Sequence, residues 1–200
     1  MQKNSTKAQM LLAKTDGMGY NHYINWVKSS FGERGTDRKG PVMYQIGDKI
    51  AHPLHGAGTI SEIERKRIDG QYKSYYVMQI AKVGMRVMIP TESCDAVGIR
   101  PIVCREEADR IFSCIPQLEV VVDNNWNKRC RDNMERIKSG DLLEVAAVIK
   151  SLVYRDNERG LSTGERKMLH NAKQILISEM VLSKGESYES IEAQLYACLA

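Results

Sequence analysis

No uninterrupted apolar run reaches the roughly eighteen residues that a membrane-crossing helix needs, so no transmembrane helix is expected. Met10-Leu11-Leu12-Ala13 is too short for the apolar core of a secretory signal, and no small-residue cleavage site follows it. The five cysteines include no C-x-x-C pair, which argues against a zinc cluster or a disulfide framework. They read as reduced thiols of a cytoplasmic protein, with Cys114, Cys130 and Cys198 on the apolar faces of expected helices. H-E-x-x-H, G-x-S-x-G and a phosphate-binding loop with its lysine are all missing. Gly56-Ala57-Gly58 starts like a dinucleotide fingerprint, but a third glycine is lacking and strand follows instead of helix, so a tight turn or bulge is the better reading. His52, His55 and Cys94 lack the spacing of a zinc site. The expectation is therefore no metal, no cofactor and no enzyme.

What is present is an ordinary globular composition, 27% charged and 42% hydrophobic over 200 residues, with a net charge of +4. The charge is unevenly spread. Residues 1–42 hold seven Lys/Arg against three Asp/Glu, and 43–200 hold 22 of each. Within the latter, 126–173 has eleven basic and seven acidic residues, between acidic flanks. A local cationic surface suited to a polyanion is implied, on a body too neutral for tight independent binding to nucleic acid.

Residues 1–42, rich in Lys, Asn, Ser and Gly and without a sustained period, are expected to form a flexible basic extension dispensable for folding. Met43 could equally be an initiator. From Tyr44 to about Val103 the texture is β: Lys49–His52, Gly58–Ile68, an Asp69-Gly70 hairpin turn, Tyr72–Ile80, a turn at Lys82-Val83-Gly84, then Met85–Ile89. Short strands at such spacing predict a small antiparallel barrel of the SH3 or Tudor kind. Helical periodicity follows. Glu106–Ile115 carries Ala108, Ile111, Phe112 and Ile115 on one face and stops at Pro116. Residues 116–125 look like a linker, which gives an organisation of extension (1–42), β domain with a short terminal helix (43–115), linker, and helical domain (126–200). Helices are expected from Trp126 to Lys138, after Asp141, after the capping box Ser162-Thr163-Gly164-Glu165, and from about Tyr188. The fold class is α+β, a small barrel followed by a helical bundle.

Asn125-Trp126-Asn127-Lys128-Arg129-Cys130-Arg131 concentrates an aromatic and three cations at a helix start. Asp123, Asn124 and Asn125 are all good capping residues for it, and side chains in the first turn can project beyond the helix end. Projected at 100° per residue, Trp126 shares an arc of about 80° with Cys130, Met134 and Ile137, which alone favours a buried ring. A second basic group, from Arg155 to Lys173, surrounds the capped helix start, whose free amides could bind phosphate.

Gly47-Asp48, Pro53-Leu54-His55-Gly56-Ala57-Gly58, the Asp69-Gly70 hairpin, Ile89-Pro90, Asn125-Trp126 with its cations, and Arg155-Asp156-Asn157-Glu158-Arg159-Gly160-Leu161-Ser162 with Gly164-Glu165 together resemble the CarD/CdnL family of bacterial transcription regulators. The likeness covers about 43–185, and residues 1–42 lie outside it. It implies a Tudor-like domain that binds the β subunit of RNA polymerase, and a helical domain that touches promoter DNA. Trp126 is similar to the tryptophan that wedges into the minor groove at the upstream edge of the melted promoter. Lys128, Arg129 and Arg131 match neighbouring phosphate-binding cations, and Arg166 a further basic contact. On the polymerase side the family uses two arginines on neighbouring strands. The matching positions look like Lys66 and Met88, with Arg65, Arg67 and Arg86 adjacent, so charge is kept at one and lost at the other. The resemblance thus implies a cytoplasmic, nucleoid-associated regulator that stabilises the open complex through sequence-independent DNA contacts. The competing reading is a protein-interaction adaptor without direct DNA contact, in which Trp126 is core.

Overall fold

The computed structural model describes residues 43–80, 84–120 and 123–199, all within one compact unit, Pro41–Ala200. The expected basic extension, Lys82-Val83 of the second turn and Val121-Val122 of the expected linker lie outside the described residues. Five strands form one antiparallel sheet: β1 (Lys49–His52), β2 (Gly56–Ile68), β3 (Gln71–Ile80), β4 (Met85–Pro90) and β5 (Arg100–Pro101), in the order β4-β3-β2-β1-β5. The β2–β3 hairpin turns through Asp69 and Gly70, both at positive φ (52° and 81°), with Ile68 opposite Gln71. A two-residue turn of that hand matches the twist of the flanking strands, which is why Asp-Gly marks it in the sequence.

A register shift between Ile60 and Glu62 interrupts the β2–β3 pairing. Before it, Ile60 enters a core with Tyr44, Ile50, Tyr76, Met78, Ile80, Ile89 and Ile99. Beyond it, the hairpin runs out into solvent, and Arg65 to Gly70 are exposed. The expected barrel is corrected here to an open sheet. β5 has two residues, one of them a proline without an N–H, and pairs only with β1, so nothing in the described ladder joins it to β4.

A short helix, α1 (Cys94–Val97), leads into β5, and α2 (Arg105–Cys114) buries Ala108, Ile111 and Phe112 as its period requires. Pro116 falls in a 3-10 turn, Ile115–Gln117, whose carbonyls at Ile115 and Pro116 accept from Lys150 Nζ at 3.1 and 2.8 Å. The start of the expected linker is thereby tied to the helices. α3 (Trp126–Lys138), α4 (Leu142–Arg159), α5 (Thr163–Lys184) and α6 (Tyr188–Leu199) follow, capped at Asn125, Asp141 and Ser162 for the first three.

Helix α5 is the spine of the unit, packed against α4, α6 and β2. Gly56 lies against it at φ +84°, and a Cβ there would sit 2.3 Å from Ser178 Oγ. Ala57 N–H donates to the same Oγ at 2.8 Å. Nearby, Arg100 forks onto buried Glu179 at 2.5 and 3.0 Å, and Val103 N–H adds a third donor at 3.0 Å. One helix therefore fixes the sheet to the helices through backbone contact and a satisfied ion pair.

Candidate nucleic-acid and protein interfaces

Two surfaces hold the side chains singled out in the sequence. On the sheet, the outer face of β2 and β4 brings together Lys66, Arg86 and Met88. Lys66 Nζ lies 3.1 Å from Met88 Sδ and 3.3 Å from Glu64 Oε2. Arg86 pairs with Glu62, and with Glu64 at 3.2 Å. All three are exposed. Strand side chains alternate, so Arg65 and Arg67 project to the opposite face from Lys66, and the structure does not bring them to this cluster. Arg67 Nε instead donates to Gly70 O at 3.4 Å within the hairpin turn. Alternation puts Glu62 and Glu64 on the same face as Lys66, where they also pair with Arg86 of β4 and offset its charge.

The second surface is the start of α3. Asn125 Oδ1 accepts from Lys128 N–H at 3.2 Å, which starts the helix at Trp126. Trp126 remains 49% exposed. Its ring lies across the start of α5: Nε1–H donates to Ser162 Oγ at 3.2 Å, and a Cβ on Gly164 would be 3.8 Å from Cζ2. The ring is neither sealed in the core nor free of the protein. Apolar periodicity placed it near the stripe, but a stripe's end lets half the ring emerge. Further along that stripe Met134 is half-buried and Ile137 fully buried.

Lys128 and Arg131 are exposed on α3, and Arg166 is exposed in the first turn of α5. Lys128 pairs with Asp123 at 2.9 Å, and that hydrogen bond raises the lysine and lowers the carboxyl from their ordinary pKa values. Arg131 reaches its neighbour Asp132 at 3.5 Å, and Arg166 Nε donates to Leu161 O at 3.1 Å.

Arg129 is placed differently from the surface cation expected of it. It is buried, and its Nε and Nη2 donate to Glu165 Oε1 at 3.2 and 2.8 Å while Nη1 donates to Asp123 O at 2.6 Å. Its position, 60° round the helix from Trp126, turns it toward the start of α5. Burial pushes the Glu165 carboxyl upward, but the hydrogen bonds from Arg129 and Ser162 outweigh burial and leave it below the usual carboxylate range. The capping box signalled Glu165's backward reach. Nothing in the sequence signalled that its second oxygen receives a guanidinium from another helix.

His52 Nδ1 accepts from Leu54 N–H at 3.0 Å, and its ring lies 4.5 Å from that of His55. Burial, then the neighbouring His55, lowers its pKa to about 4. Among the described residues no three His, Cys, Asp or Glu side chains are grouped to hold a metal, and no described helix is long and apolar enough to cross a membrane.

The molecule is thus an α+β protein whose distinctive features are two exposed, cation-bearing surfaces. Residues 44–103 match the CarD-like/TRCF RID domain and residues 110–196 match the CarD C-terminal domain, so the chain belongs to the CarD-like family of transcription factors. The Bacillus subtilis (strain 168) protein named "Putative transcription factor YdeB" is 36% identical over 151 residues, covering 76% of this chain and 99% of that protein. Among solved structures, the solution NMR structure of the 72-residue N-terminal domain of Myxococcus xanthus CarD matches at 24% identity and a TM-score of 0.27, covering 35% of this chain and 93% of that one.

Proposed function

We propose that this transcription factor docks on the β subunit of RNA polymerase through the outer face of its sheet and stabilises the promoter open complex through Trp126. The carrying observation is the half-exposed indole at the first residue of α3, the helix that also exposes Lys128 and Arg131, beside the start of α5, which exposes Arg166. Such a ring can enter a minor groove at a step already partly unstacked at the bubble edge, where opening costs least. It therefore engages open promoter better than closed and shifts the equilibrium by that difference. These exposed cations meet phosphates and read no sequence. Weak DNA affinity suffices, because docking on polymerase raises the local concentration of the helical part at the promoter. On the sheet, Lys66, Arg86 and Met88 form the docking patch, and the protein acts in the cytoplasm, at the nucleoid.

The test is the lifetime of open complexes with Trp126→Ala. Loss of a base-edge wedge is expected to shorten it about tenfold, with the variant still folded because half the ring is outside. An unchanged lifetime with a folded variant would remove the wedge from the mechanism. Unfolding of the variant together with salt-insensitive DNA association would favour the adaptor reading instead.

A further inference from the structure

We infer that Ser162, held by Glu165 and Arg129, is a positioning residue that sets the orientation of the Trp126 ring. The inference rests on the proposed role of Trp126 and extends it to Ser162 and Glu165, which lie outside the expected DNA-contacting set. A hydroxyl has one hydrogen to donate and two lone pairs to fill. Ser162 Oγ donates to Glu165 Oε2 at 2.8 Å and accepts from Glu165 N–H at 3.3 Å and from Trp126 Nε1–H at 3.2 Å. Every direction is used, so the oxygen cannot rotate to release the indole without breaking another bond.

Glu165 is saturated in the same way. Its two oxygens offer about four acceptor sites. Oε1 takes Arg129 Nε and Nη2, and Oε2 takes Ser162 N–H at 3.0 Å and Ser162 Oγ. That saturation accounts for Arg155, whose Nε lies 3.3 Å from Oε1 yet makes no hydrogen bond. Arg129 completes the frame by donating to Asp123 O, just before the α3 cap. The starts of α3 and α5 are thereby joined by buried charge, and the indole spans the joint with one edge tied and the other in solvent.

An exposed tryptophan without such a tie samples several rotamers, and ordering it on engagement diminishes binding by about two- to tenfold. Here the ordering precedes engagement. The capping serine of α5 thus serves a second purpose, as the acceptor that fixes the indole.

The experiment compares Ser162→Gly, Ser162→Ala, Ser162→Thr and Asp141→Ala in the full chain. Glycine keeps most of the helix-capping preference and alanine does not, threonine keeps the hydroxyl, and Asp141→Ala removes an equivalent cap from α4 without touching Trp126. The chain has two tryptophans, so a Trp26→Phe background leaves one indole N–H signal in the NMR spectrum. Ser162→Gly and Ser162→Ala are expected to move that signal upfield, speed its exchange with water, and shorten open-complex lifetime about two- to tenfold. Ser162→Thr should restore both readouts, and Asp141→Ala should change neither. An indole signal unmoved in folded Ser162→Gly, or a lifetime lost equally in Asp141→Ala, overturns the inference. A lifetime unchanged in Ser162→Gly but shortened in Trp126→Ala also overturns it. If Trp126→Ala itself leaves the lifetime unchanged, the open-complex reading falls, and the indole signal still decides whether Ser162 orients the ring.

Discussion

On the sheet, Lys66 and Arg86 reach Glu62 and Glu64 across side chains that water surrounds, whereas at the start of α3 the Arg129 guanidinium lies buried against Glu165. Arg86 and Glu62 keep about half of their side-chain surface exposed, 55% and 46%, against 8% and 3% for Arg129 and Glu165. Water screens the first arrangement, and its net value to the fold is small. In the second, each charge has been taken out of water and depends on its partner for compensation. Charge on the sheet is available to a partner molecule, and charge inside the helical tip is committed to shaping it. The exposed cations of the tip, Lys128, Arg131 and Arg166, are presented by a frame that the buried pair holds.

The sharpest way to break this contrast is Glu165→Gln. The amide keeps the shape but leaves Arg129, and Arg155 beside it, without a buried counter-charge, and the expected loss is about 3 kcal/mol in chemical denaturation. The acid dependence should change with it. Glu165 has a lowered pKa in the folded state, so its contribution is present above the ordinary carboxylate value and is lost as pH falls through the folded value. Wild type should therefore lose its advantage over the variant as the medium is acidified. Equal stability of the two at neutral pH would show that the pair is not compensating buried charge.

Within the tip, the contrast separates cations that reach outward from the one that faces inward. Lys128→Ala and Arg131→Ala are each expected to reduce the slope of log K against log salt for DNA association by about 1, the signature of a lost phosphate contact. Arg129→Ala should instead lower thermal stability, and its affinity loss should persist at all salt concentrations. A slope reduced equally by all three would return Arg129 to the phosphate-binding surface.

Much of this arrangement is legible in local sequence because local physics produces it. The Asp69-Gly70 turn, the Asn125, Asp141 and Ser162 caps and the stripe through Leu142, Val145, Ala146 and Ile149 depend on residues near each other in the chain. What stayed hidden depends on contacts between distant residues. Arg129 meets Glu165 across 36 positions, and Arg100 meets Glu179 across 79. No periodicity tells a guanidinium whether it faces water or another helix. The open sheet was hidden for a related reason, since closure requires pairing between strand edges and a two-residue β5 ending in proline cannot extend that pairing. The half-exposed ring of Trp126 fell between the two cases: the helix period located its stripe, but only the approach of α5 determined how far it emerged.

The smallest expected effect on stability lies on the sheet, and it tests the other half of the contrast. Arg86→Ala removes a side chain whose ion pairs with Glu62 and Glu64 are solvent-exposed, so the unfolding free energy should change by less than about 1 kcal/mol. Its effect on recognition should be large by comparison. With Arg86 gone, the balance among Lys66, Glu62 and Glu64 turns from neutral to net negative while Met88 and the strand geometry persist. Pull-down of the polymerase β subunit should fall sharply in Arg86→Ala at unchanged melting temperature, and combining it with Glu62→Gln and Glu64→Gln should recover part of the binding by removing the exposed acids. Unchanged docking in a folded Arg86→Ala would move the polymerase contact off this face. Because the fold draws so little on this face's charge, any effect of altering it falls on the partner, which the buried pair at the tip does not permit.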